Sequence, residues 1–314
     1  METLYHRTVM PEQAVELLNV KNGGIYVDAT LGGGGHGQKI LEKVGSDGLL
    51  IGLDQDQAAI EHCRQLFQGK GNVVLEHANF RGFPDLLAEK GIKKIDGILF
   101  DLGVSDEHLG KPERGFSIRQ DGPLDMRMDT SSGATAKDLV NTASQTELAD
   151  IIWKYGEDRW ARRIASRILD AREHGEITTT GQLVKIIEQS IPRNKWPKNI
   201  HPATRTFQAL RIAVNNELEI LPETLAAAID HLQEKGRIVV ISFHSLEDRI
   251  VKNIFNEKAK GCICPPFVPQ CVCGHKPSLK IITRKPVSPN AAELDLNPHA
   301  RSAKMRVAER LAYV

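Results

Sequence analysis

A run of glycines between a short apolar segment and a helical pattern is the feature of the sequence with the clearest chemical meaning. Residues 27–37 read Val-Asp-Ala-Thr-Leu-Gly-Gly-Gly-Gly-His-Gly, and Gly32, Gly34 and Gly37 fit the spacing G-x-G-x-x-G. Glycines at such a turn let the backbone approach a ligand closely and make positive φ accessible. The alternative is a tight strand-to-helix turn that binds nothing. Four adjacent glycines satisfy many patterns, so the choice depends on the side chains around them.

Three aspartates indicate which ligand this turn would bind. Asp54 follows the glycines by roughly 20 residues, where a carboxylate at a strand end can accept the hydroxyls of an adenosine ribose. Both NAD and S-adenosylmethionine contain that ribose. Asp28 and Asp101 are also expected at the carboxyl ends of strands, and such a set would repel a pyrophosphate but attract a sulfonium and an ammonium. The sequence therefore predicts S-adenosylmethionine in preference to NAD.

Phe80 and His36 are two further candidates for this site. Phe80 follows the third predicted strand, from which its ring would contact adenine; the alternative is core packing. His36 lies in the glycine-rich turn and would hold the methionine end of the cofactor. Its alternative is a solvated position at the start of a helix.

The elements that position these residues alternate between strands and helices. Strands are predicted at Ile25–Asp28, Leu49–Asp54, Val73–His77 and Ile95–Asp101, and helices at Gln38–Val44, Gln57–Phe67 and Pro84–Lys90. A strand pattern returns at Arg237–Ser242, Leu279–Thr283 and Met305–Val307, after a helix at Pro222–Glu234. Such alternation is typical of βαβ units that build a parallel sheet.

The middle of the chain interrupts this alternation. Residues 109–133 are rich in Gly, Pro, Asp and Arg and form too long a connection for a compact domain, which predicts a functional loop. Residues 134–192 carry only helical signals, including Ser144 with Glu147 as a capping box. The sequence thus predicts a discontinuous sheet domain, residues 1–108 and 200–314, around an inserted loop and helical domain, residues 109–199.

Composition and charge limit the class of protein. The 314 residues, 41% of them hydrophobic, can bury one large core or two smaller ones. The formal net charge is only +1, so a nucleic-acid surface would have to come from local placement of Lys and Arg. The first residues lack the apolar run of a signal peptide, and no segment is long enough to span a membrane. We therefore expect a cytoplasmic protein without a membrane partner.

The cysteines indicate a protein of a reducing compartment, and four of them form a candidate metal site that the sequence alone does not decide. Their total of five is unlike the framework of a secreted disulfide protein. Cys63 is isolated, whereas Cys262, Cys264, Cys271 and Cys273 cluster ahead of His275. These ligands suffice for a tetrahedral zinc ion, but C-x-C is less diagnostic than C-x-x-C. Zinc binding and reduced thiols are both compatible with the pattern.

Ordered motifs over the whole chain resemble the bacterial family of ribosomal RNA small-subunit methyltransferase H. They are His6–Val9, Leu31–His36, Asp101–Ser105, Arg114–Ser117, Asp121–Asp129, His201–Arg211, Ser242–Val251, Asn297 with Pro298, and Arg301 with Ser302. The resemblance implies a Rossmann-like methyltransferase domain with an inserted helical substrate domain. It also implies methylation of N4 of a cytidine in the decoding region of 16S rRNA, with the small ribosomal subunit as the expected partner.

The same resemblance implies the cofactor contacts residue by residue. They are Gly34, Gly35, His36, Asp54, Phe80, Asp101 and His108. The family usually has Gln at the position of His108. Imidazole can replace one amide hydrogen bond but not necessarily both, so this contact departs from the family pattern.

Methylation of an exocyclic amine needs hydrogen-bond acceptors more than a strong base, because the cytosine N4 lone pair is delocalised into the ring. Asp101, followed by Leu-Gly-Val, occupies the place where amino methyltransferases put an acidic or amide residue, although the usual Pro-Pro-aromatic portion is absent. Asp101 is predicted to contact the cofactor, the amine or both. Ser242 and His244 are further candidates for the base pocket; alternatively, Ser245 and Asp248 only begin a helix.

An RNA substrate also needs a basic surface, and the sequence offers three groups of residues for it. They are Arg159, Arg162, Arg163 and Arg167 on one helix; Arg193, Lys195, Lys198 and Arg205 around Trp196; and Arg119 and Arg127 in the long loop. The alternative is a solvated helix face with a core tryptophan. Arginines mixed with an aromatic residue favour RNA binding.

Two other functions fit the same residues. One is an amino methyltransferase acting on DNA or on another RNA, and the other is a ribosome-assembly protein that binds the cofactor without turnover. An NAD oxidoreductase is a more distant alternative.

Overall fold

A computed structural model describes residues 8–262, 264, 265, 268–270, 272–274 and 276–312. The chain divides into two compact units: a sheet unit, formed by the chain up to Gly103 and from Ile220 onward, and a helical unit, Val104–Glu219. The boundaries expected from the sequence, after residues 108 and 199, lie elsewhere. The second differs more because the helix at Thr204–Asn215 packs with helices of the helical unit.

The regular elements alternate in the sheet unit and are helical in the helical unit. The strands are β1 Ile25–Asp28, β2 Leu49–Asp54, β3 Val73–His77, β4 Ile95–Asp101, β5 Leu232–Ser242, β6 Leu279–Ile281 and β7 Lys304–Arg310. The helices are α1 Pro11–Leu18, α2 Gly35–Val44, α3 Gln57–Leu66, α4 Phe83–Glu89, α5 Asp106–Gly110, α6 Ala136–Thr142, α7 Gln145–Gly156, α8 Ala161–Arg172, α9 Thr180–Ser190, α10 Thr204–Asn215, α11 Glu217–His231, α12 Ser245–Ala259 and α13 Ala291–Leu296.

The seven strands form one sheet with the order β3-β2-β1-β4-β5-β7-β6. Strands β1 to β5 are parallel, whereas β7 runs antiparallel to both β5 and β6. The predicted α/β Rossmann-like fold with an inserted helical domain is confirmed. The sequence did not predict the direction of β7, because the alternation of side chains is the same in parallel and antiparallel strands.

The first four strands begin and end where the sequence predicted, but β5 does not. It begins at Leu232, inside the segment predicted as helix, and its pairing with β4 shifts register between Ile95 and Gly97. Lys235, near this irregularity, has a φ of 64°, which is rare for a residue with a side chain. Between the pairs on either side of this register shift, β5 has three more residues than β4, and the extra segment carries the charged residues Glu234 and Lys235 that interrupt the apolar pattern.

Apolar side chains cover both faces of the sheet. On β4, Ile98 and Phe100 belong to one hydrophobic cluster and Leu99 to another, and all three are fully buried. This alternation places β4 in the middle of the sheet, with packed side chains above and below. Within the described residues, we find no helix that combines the length and the apolar character needed to cross a membrane.

The helical unit has its own core and well-defined helix starts. The predicted capping box of Ser144 and Glu147 is confirmed at α7, and equivalent boxes begin α6 at Thr135 and α9 at Thr179. The long loop packs Leu124 and Met126 into the core of this unit. Residues 109–133 are therefore an ordered part of the unit, although they contain few regular elements.

Candidate functional site

The order of the strands defines a crevice at one edge of the sheet. The chain adds β2 and β3 on one side of β1 and then crosses to add β4 on the other side. Ligands of open α/β sheets bind where the strand order reverses, outside the carboxyl ends of the strands. Asp28 ends β1, Asp54 ends β2 and Asp101 ends β4. The fold thus brings the predicted acidic residues to this edge.

The glycine-rich turn joins β1 to α2 at the same edge. Gly34 has a φ of 80° and is the residue before the first turn of α2, which therefore begins earlier than the predicted Gln38. A Cβ on Gly34 would lie 2.8 Å from Leu66, and one on Gly35 would lie 1.8 Å from the Thr8 hydroxyl. Gly32 has a φ of 50° and no such close neighbour. Packing explains the need for glycine at 34 and 35, while Gly32 needs only its conformation.

Asp54 holds the glycine-rich turn through backbone hydrogen bonds. One carboxylate oxygen accepts from the Gly32 N–H and the other from the Asp56 N–H, each at 2.8 Å. A carboxylate offers about four lone-pair sites. Asp54 is half-buried, so part of the residue is accessible at the crevice. The hydrogen bonds from the Gly32 and Asp56 N–H groups fix the orientation of the Asp54 carboxylate.

Asp28, His36 and Asp101 form a buried polar cluster beside this turn. His36 Nε2 lies 3.4 Å from Asp101 Oδ2, and the two side chains are 4% and 11% exposed. Among the described residues, Asp28 Oδ2, Asp101 Oδ1 and both ring nitrogens of His36 have no hydrogen-bond partner. Burial, which is the largest effect, raises the pKa of Asp28 to about 6, although His36 opposes the shift. Buried polar atoms without partners indicate a site for a polar ligand.

Thr30 is a site residue that the sequence analysis missed. Its hydroxyl accepts a hydrogen bond of 2.6 Å from the Asp101 N–H and so connects the turn after β1 to the end of β4. The only signal in the sequence is a short hydroxyl side chain between Asp28 and the glycines. That signal does not reveal a partner 71 residues away.

Phe80 lies in a short 3-10 helix, Phe80–Gly82, that follows β3. Its ring meets Phe100 edge-to-face, with centroids 5.9 Å apart and an angle of 86° between the planes. Phe80 is half-buried, so one part of the ring packs on the core and another part is accessible. The adenine contact stays a prediction beside this packing role.

Ser242 and His244 lie at the end of β5 and are held by the protein itself. The Ser242 hydroxyl is buried and donates to the Lys304 carbonyl at 3.2 Å. His244 is the N-cap of α12, and its Nδ1 accepts from the Glu247 N–H. The predicted helix start at Ser245 is confirmed, but the capping box pairs His244 with Glu247 rather than Ser245 with Asp248. Both predicted catalytic roles remain predictions.

Glu247 is a second residue that the sequence analysis missed. It is 2% exposed, and its carboxylate accepts from the N–H groups of Phe243 and His244 at 2.8 and 3.3 Å. Its Oε1 also lies 3.2 Å from Nε2 of His244. Glu247 therefore fixes the imidazole and the end of β5 together.

His108, the predicted contact that departs from the family pattern, belongs to the helical unit. It is 6% exposed, and its Nδ1 accepts from the Ser105 N–H at 3.2 Å. Its ring lies 5.1 Å from that of Phe116. These contacts fix the imidazole within the helical unit, and its contact with a cofactor stays a prediction.

The predicted basic residues around α8 are exposed and partly stacked on tryptophan. Arg159, Arg162, Arg163 and Arg167 are all exposed. The guanidinium groups of Arg159 and Arg163 lie 5.5 and 5.9 Å from the centre of the Trp160 ring. Arg167 lies 3.7 Å from Asp170. Stacking holds two of the arginines in place without neutralising their charge.

The second predicted basic group surrounds Trp196. The Arg193 guanidinium lies 5.6 Å from the Trp196 ring, whose Nε1–H donates to the Ile191 carbonyl at 2.9 Å. Arg193, Lys195, Lys198 and Arg205 are exposed. Arg205 also donates to the Glu157 carbonyl.

The two loop arginines differ from each other. Arg119 is exposed, whereas Arg127 makes a bidentate pair with Asp125, with both N–O distances 2.8 Å. The guanidinium of Arg127 is thus engaged within the loop, which makes it a weaker candidate for phosphate contact than Arg119. Binding of RNA by either residue stays a prediction.

The cysteine cluster is only partly described. The sulfur atoms of Cys262, Cys264 and Cys273 lie within 4.8 Å of one another. Cys271 and His275, which the sequence analysis grouped with them, lie outside the described residues.

The chain has close relatives among known proteins. A family model described as the MraW methylase family matches residues 3–311. The ribosomal RNA small subunit methyltransferase H of Geotalea uraniireducens is 53% identical over 312 residues, covering 99% of this chain and 100% of the relative. The protein of the same name from Geobacter sulfurreducens is 54% identical over 312 residues, covering 98% of this chain and 100% of the relative.

Similarity to solved structures is much weaker. The structure of an rRNA methylase from Streptococcus thermophilus aligns with a TM-score of 0.42 and 10% identity, over 96% of this chain and 94% of that one. This likeness is too low to support any conclusion, whereas the family model spans nearly the whole chain and the relatives cover their full lengths. The chain therefore belongs to the MraW methylase family.

Proposed function

We propose that the protein transfers a methyl group from S-adenosylmethionine to N4 of a cytidine in the decoding region of 16S rRNA, within the small ribosomal subunit in the cytoplasm. Membership of a methylase family makes the protein a methyltransferase. The name shared by the relatives, ribosomal RNA small subunit methyltransferase H, supports ribosomal RNA of the small subunit as the substrate. The sequence motif at Asp101 supports an exocyclic amine as the acceptor.

The observation that carries the proposal is the buried cluster of Asp28, His36 and Asp101. Two carboxylates lie at the switch point of the sheet with buried oxygen atoms that have no partner within the described residues. A pyrophosphate would be repelled there, whereas a cation would be attracted. S-Adenosylmethionine fits because its sulfur and its amino group are both positively charged.

Each part of the cofactor has candidate residues in the sheet unit. The carboxylate of Asp54 would accept the ribose hydroxyls, and Phe80 would contact the adenine. The imidazole of His36 would donate to the carboxylate of the methionine portion, with Asp28 and Asp101 near the positive charges. The backbone at Gly34 and Gly35 would line the turn. When bound, S-adenosylmethionine supplies a methyl group on a cationic sulfur that any well-placed lone pair can attack.

The role proposed for Asp101 is to accept a hydrogen bond from the cytidine amine. Accepting an N–H bond returns electron density to N4 and favours the tetrahedral nitrogen needed for attack. Oδ1 of Asp101 is buried and has no partner within the described part of the chain. Thr30 fixes the Asp101 backbone and His36 faces Oδ2, so the proposal assigns Oδ1 to the amine.

The proposed role of the helical unit is to hold RNA. Reaching N4 requires an unstacked nucleotide, whose flanking phosphates need neutralising contacts. The exposed arginines around Trp160 and the basic residues around Trp196 offer charge together with aromatic surface. Arg119 adds a further exposed charge.

The experiment that tests this function is transfer of a labelled methyl group to isolated small ribosomal subunits, to protein-free 16S rRNA and to DNA. We expect labelling of small-subunit RNA, and digestion should release N4-methylcytidine, identified by mass spectrometry beside a C5-methylcytidine standard. Equal labelling of DNA would favour a different amino methyltransferase. Binding of the cofactor without any transfer would favour an assembly protein instead.

A further inference from the structure

The described residues of the loop between α12 and β6 take no part in any hydrophobic core. The loop runs from Lys260 to Ser278 and is closed at its base, where the Ser278 N–H donates to the Lys258 carbonyl at 2.8 Å. Val272 in this loop is 81% exposed, and none of the described residues of the loop belongs to a hydrophobic cluster. In the part of this long connection that the structure describes, there is no regular element and no buried apolar side chain, so the loop needs another source of order.

The sulfur atoms in this loop have the spacing of a metal site. Cys262, Cys264 and Cys273 place their sulfurs within 4.8 Å of one another, and those of Cys262 and Cys273 are 3.8 Å apart. A tetrahedral zinc ion with Zn–S bonds of about 2.3 Å separates its sulfur ligands by roughly 3.8 Å. A disulfide would need about 2.0 Å, so Cys262 and Cys273 are not bonded to each other.

Backbone N–H groups point at two of these sulfurs. The Cys264 N–H donates to the sulfur of Cys262 and the Val272 N–H to that of Cys264, both at 3.4 Å. Such donors stabilise thiolate ligands and fix their direction, as the outer contacts of metal sites do. Reduced thiols gain little from such an arrangement, because they are weak hydrogen-bonding groups and here bury no apolar surface.

We propose that Cys262, Cys264 and Cys273 bind one zinc ion that holds this loop together. Thiolates are soft ligands, which favour zinc over magnesium or calcium. A sulfur-rich site in a connecting loop is typical of a structural ion. The sequence also supplies Cys271 and His275 in this segment, outside the described residues. The site shares no residue with the proposed methyl-transfer site, so the zinc proposal can be tested independently of that function.

The first test is the metal content of the full-length protein without an affinity tag. After growth with added zinc and extensive dialysis, we expect roughly one zinc ion per chain. X-ray absorption should show at least three sulfur neighbours at about 2.3 Å. Replacing Cys264 by Ser should lower the zinc content at least about tenfold, because a thiolate ligand is lost. The matched control is Lys276→Gln, which changes an exposed side chain of the same loop and should retain the metal.

Three results would overturn the proposal. They are a wild-type protein that remains without metal in excess zinc, a Cys264→Ser variant that retains wild-type zinc, and a zinc ion bound only by nitrogen and oxygen. If Cys264→Ser does not fold, cobalt substitution of the wild-type protein decides the question. The intense visible spectrum of tetrahedral thiolate cobalt supports the site, and the weak spectrum of octahedral cobalt contradicts it.

Discussion

The buried position of Asp28 disfavours the charged form of its carboxyl group. Burial raises its pKa to about 6, Asp101 and Asp54 push it further upward, and His36 and the Thr30 N–H pull it down. Because this pKa lies above the unfolded value of 3.8, the stabilising contribution of the neutral form is present below about pH 4 and is lost as the pH rises through about 6. At neutral pH the unliganded site therefore carries a destabilising charge.

Replacing Asp28 by Asn should change the stability of the protein and its affinity for S-adenosylmethionine in opposite directions. In the unliganded protein at pH 7.5, we expect a gain in the free energy of unfolding on the order of 3 kcal/mol, measured by urea denaturation. At pH 5 about half of this gain should remain, and at about pH 3 it should vanish, because Asp28 is then neutral in both the folded and the unfolded protein. Affinity for S-adenosylmethionine should change in the opposite direction, because the cation loses a carboxylate. If the variant is less stable at pH 7.5, the charge of Asp28 is balanced within the protein itself.

Asp54→Ala should weaken binding of S-adenosylmethionine by about 1–3 kcal/mol, the loss expected for charge-assisted hydrogen bonds. Isothermal titration calorimetry measures this directly. A circular dichroism melt should accompany it, because Asp54 also holds the Gly32 and Asp56 backbone. Unchanged affinity in a folded variant would contradict the placement of the ribose. Tight binding of NAD by the wild-type protein would reopen the oxidoreductase alternative.

We expect replacements of Asp101 and of Cys63 to have opposite effects on the reaction. Burial raises the pKa of the Cys63 thiol, with Asp28 and Asp54 adding to the shift, so the thiol stays protonated at neutral pH. A neutral, buried thiol is a poor nucleophile for methylation of a ring carbon. Cys63→Ala should therefore still yield N4-methylcytidine, whereas Asp101→Ala should reduce the yield about a hundredfold or more, the range seen when a catalytic hydrogen-bonding group is removed. Mass spectrometry of digested RNA checks both; C5-methylcytidine as the product would contradict this mechanism.

The start of helix α2, at Gly35, packs closely against Thr8 in the segment before α1. A Cβ on Gly35 would collide with the Thr8 side chain. We expect Gly35→Ala to cost about 1–3 kcal/mol in unfolding free energy, typical of overpacking. Adding Thr8→Gly should recover part of that loss. Gly71→Ala is the matched control, since a Cβ there meets nothing within 4 Å. Additive losses in the double variant would show that the contact does not exist in solution.

Helix α8 supplies the test of RNA binding. Changing Arg162, Arg163 and Arg167 to Gln should weaken binding to small-subunit RNA and lower the slope of its salt dependence, because fewer counterions are released. Cofactor affinity should stay nearly the same. The matched control removes three exposed lysines from the sheet unit, Lys70, Lys90 and Lys93. If RNA affinity persists while the melting temperature falls, the arginines serve the packing of the helical unit.

The sequence predicted some elements well and others poorly, for physical reasons. Strands β1 to β4 had clear limits because each is an apolar run that ends at a polar residue. The start of β5 was missed because Leu232 to Glu234 continue the helical pattern and Gly236 looks like a helix end, whereas the strand passes through them with a register shift. The direction of β7 was missed because the spacing of side chains does not encode it.

At the candidate site, the sequence located the acidic residues but not their partners. Asp28, Asp54 and Asp101 could be placed because parallel strands bring their carboxyl ends to one edge. The roles of Thr30 and Glu247 depend on hydrogen bonds formed only after folding. The stacking of Arg159 and Arg163 on Trp160 was accessible from the sequence, since the three residues are close neighbours along the chain.

Because the sheet unit is formed by two separate segments of the chain, the parts of the protein complete their folding at different stages of synthesis. Strand β4 must pair with β5, and the helical unit lies between them in the chain. During synthesis the helical unit, which is continuous, can leave the ribosome and fold while β1 to β4 still lack three strands of their sheet. A nascent chain stalled before β7 should therefore contain a protease-resistant helical unit attached to a protease-sensitive sheet, and binding of the methyl donor should appear only after β7 has been synthesised.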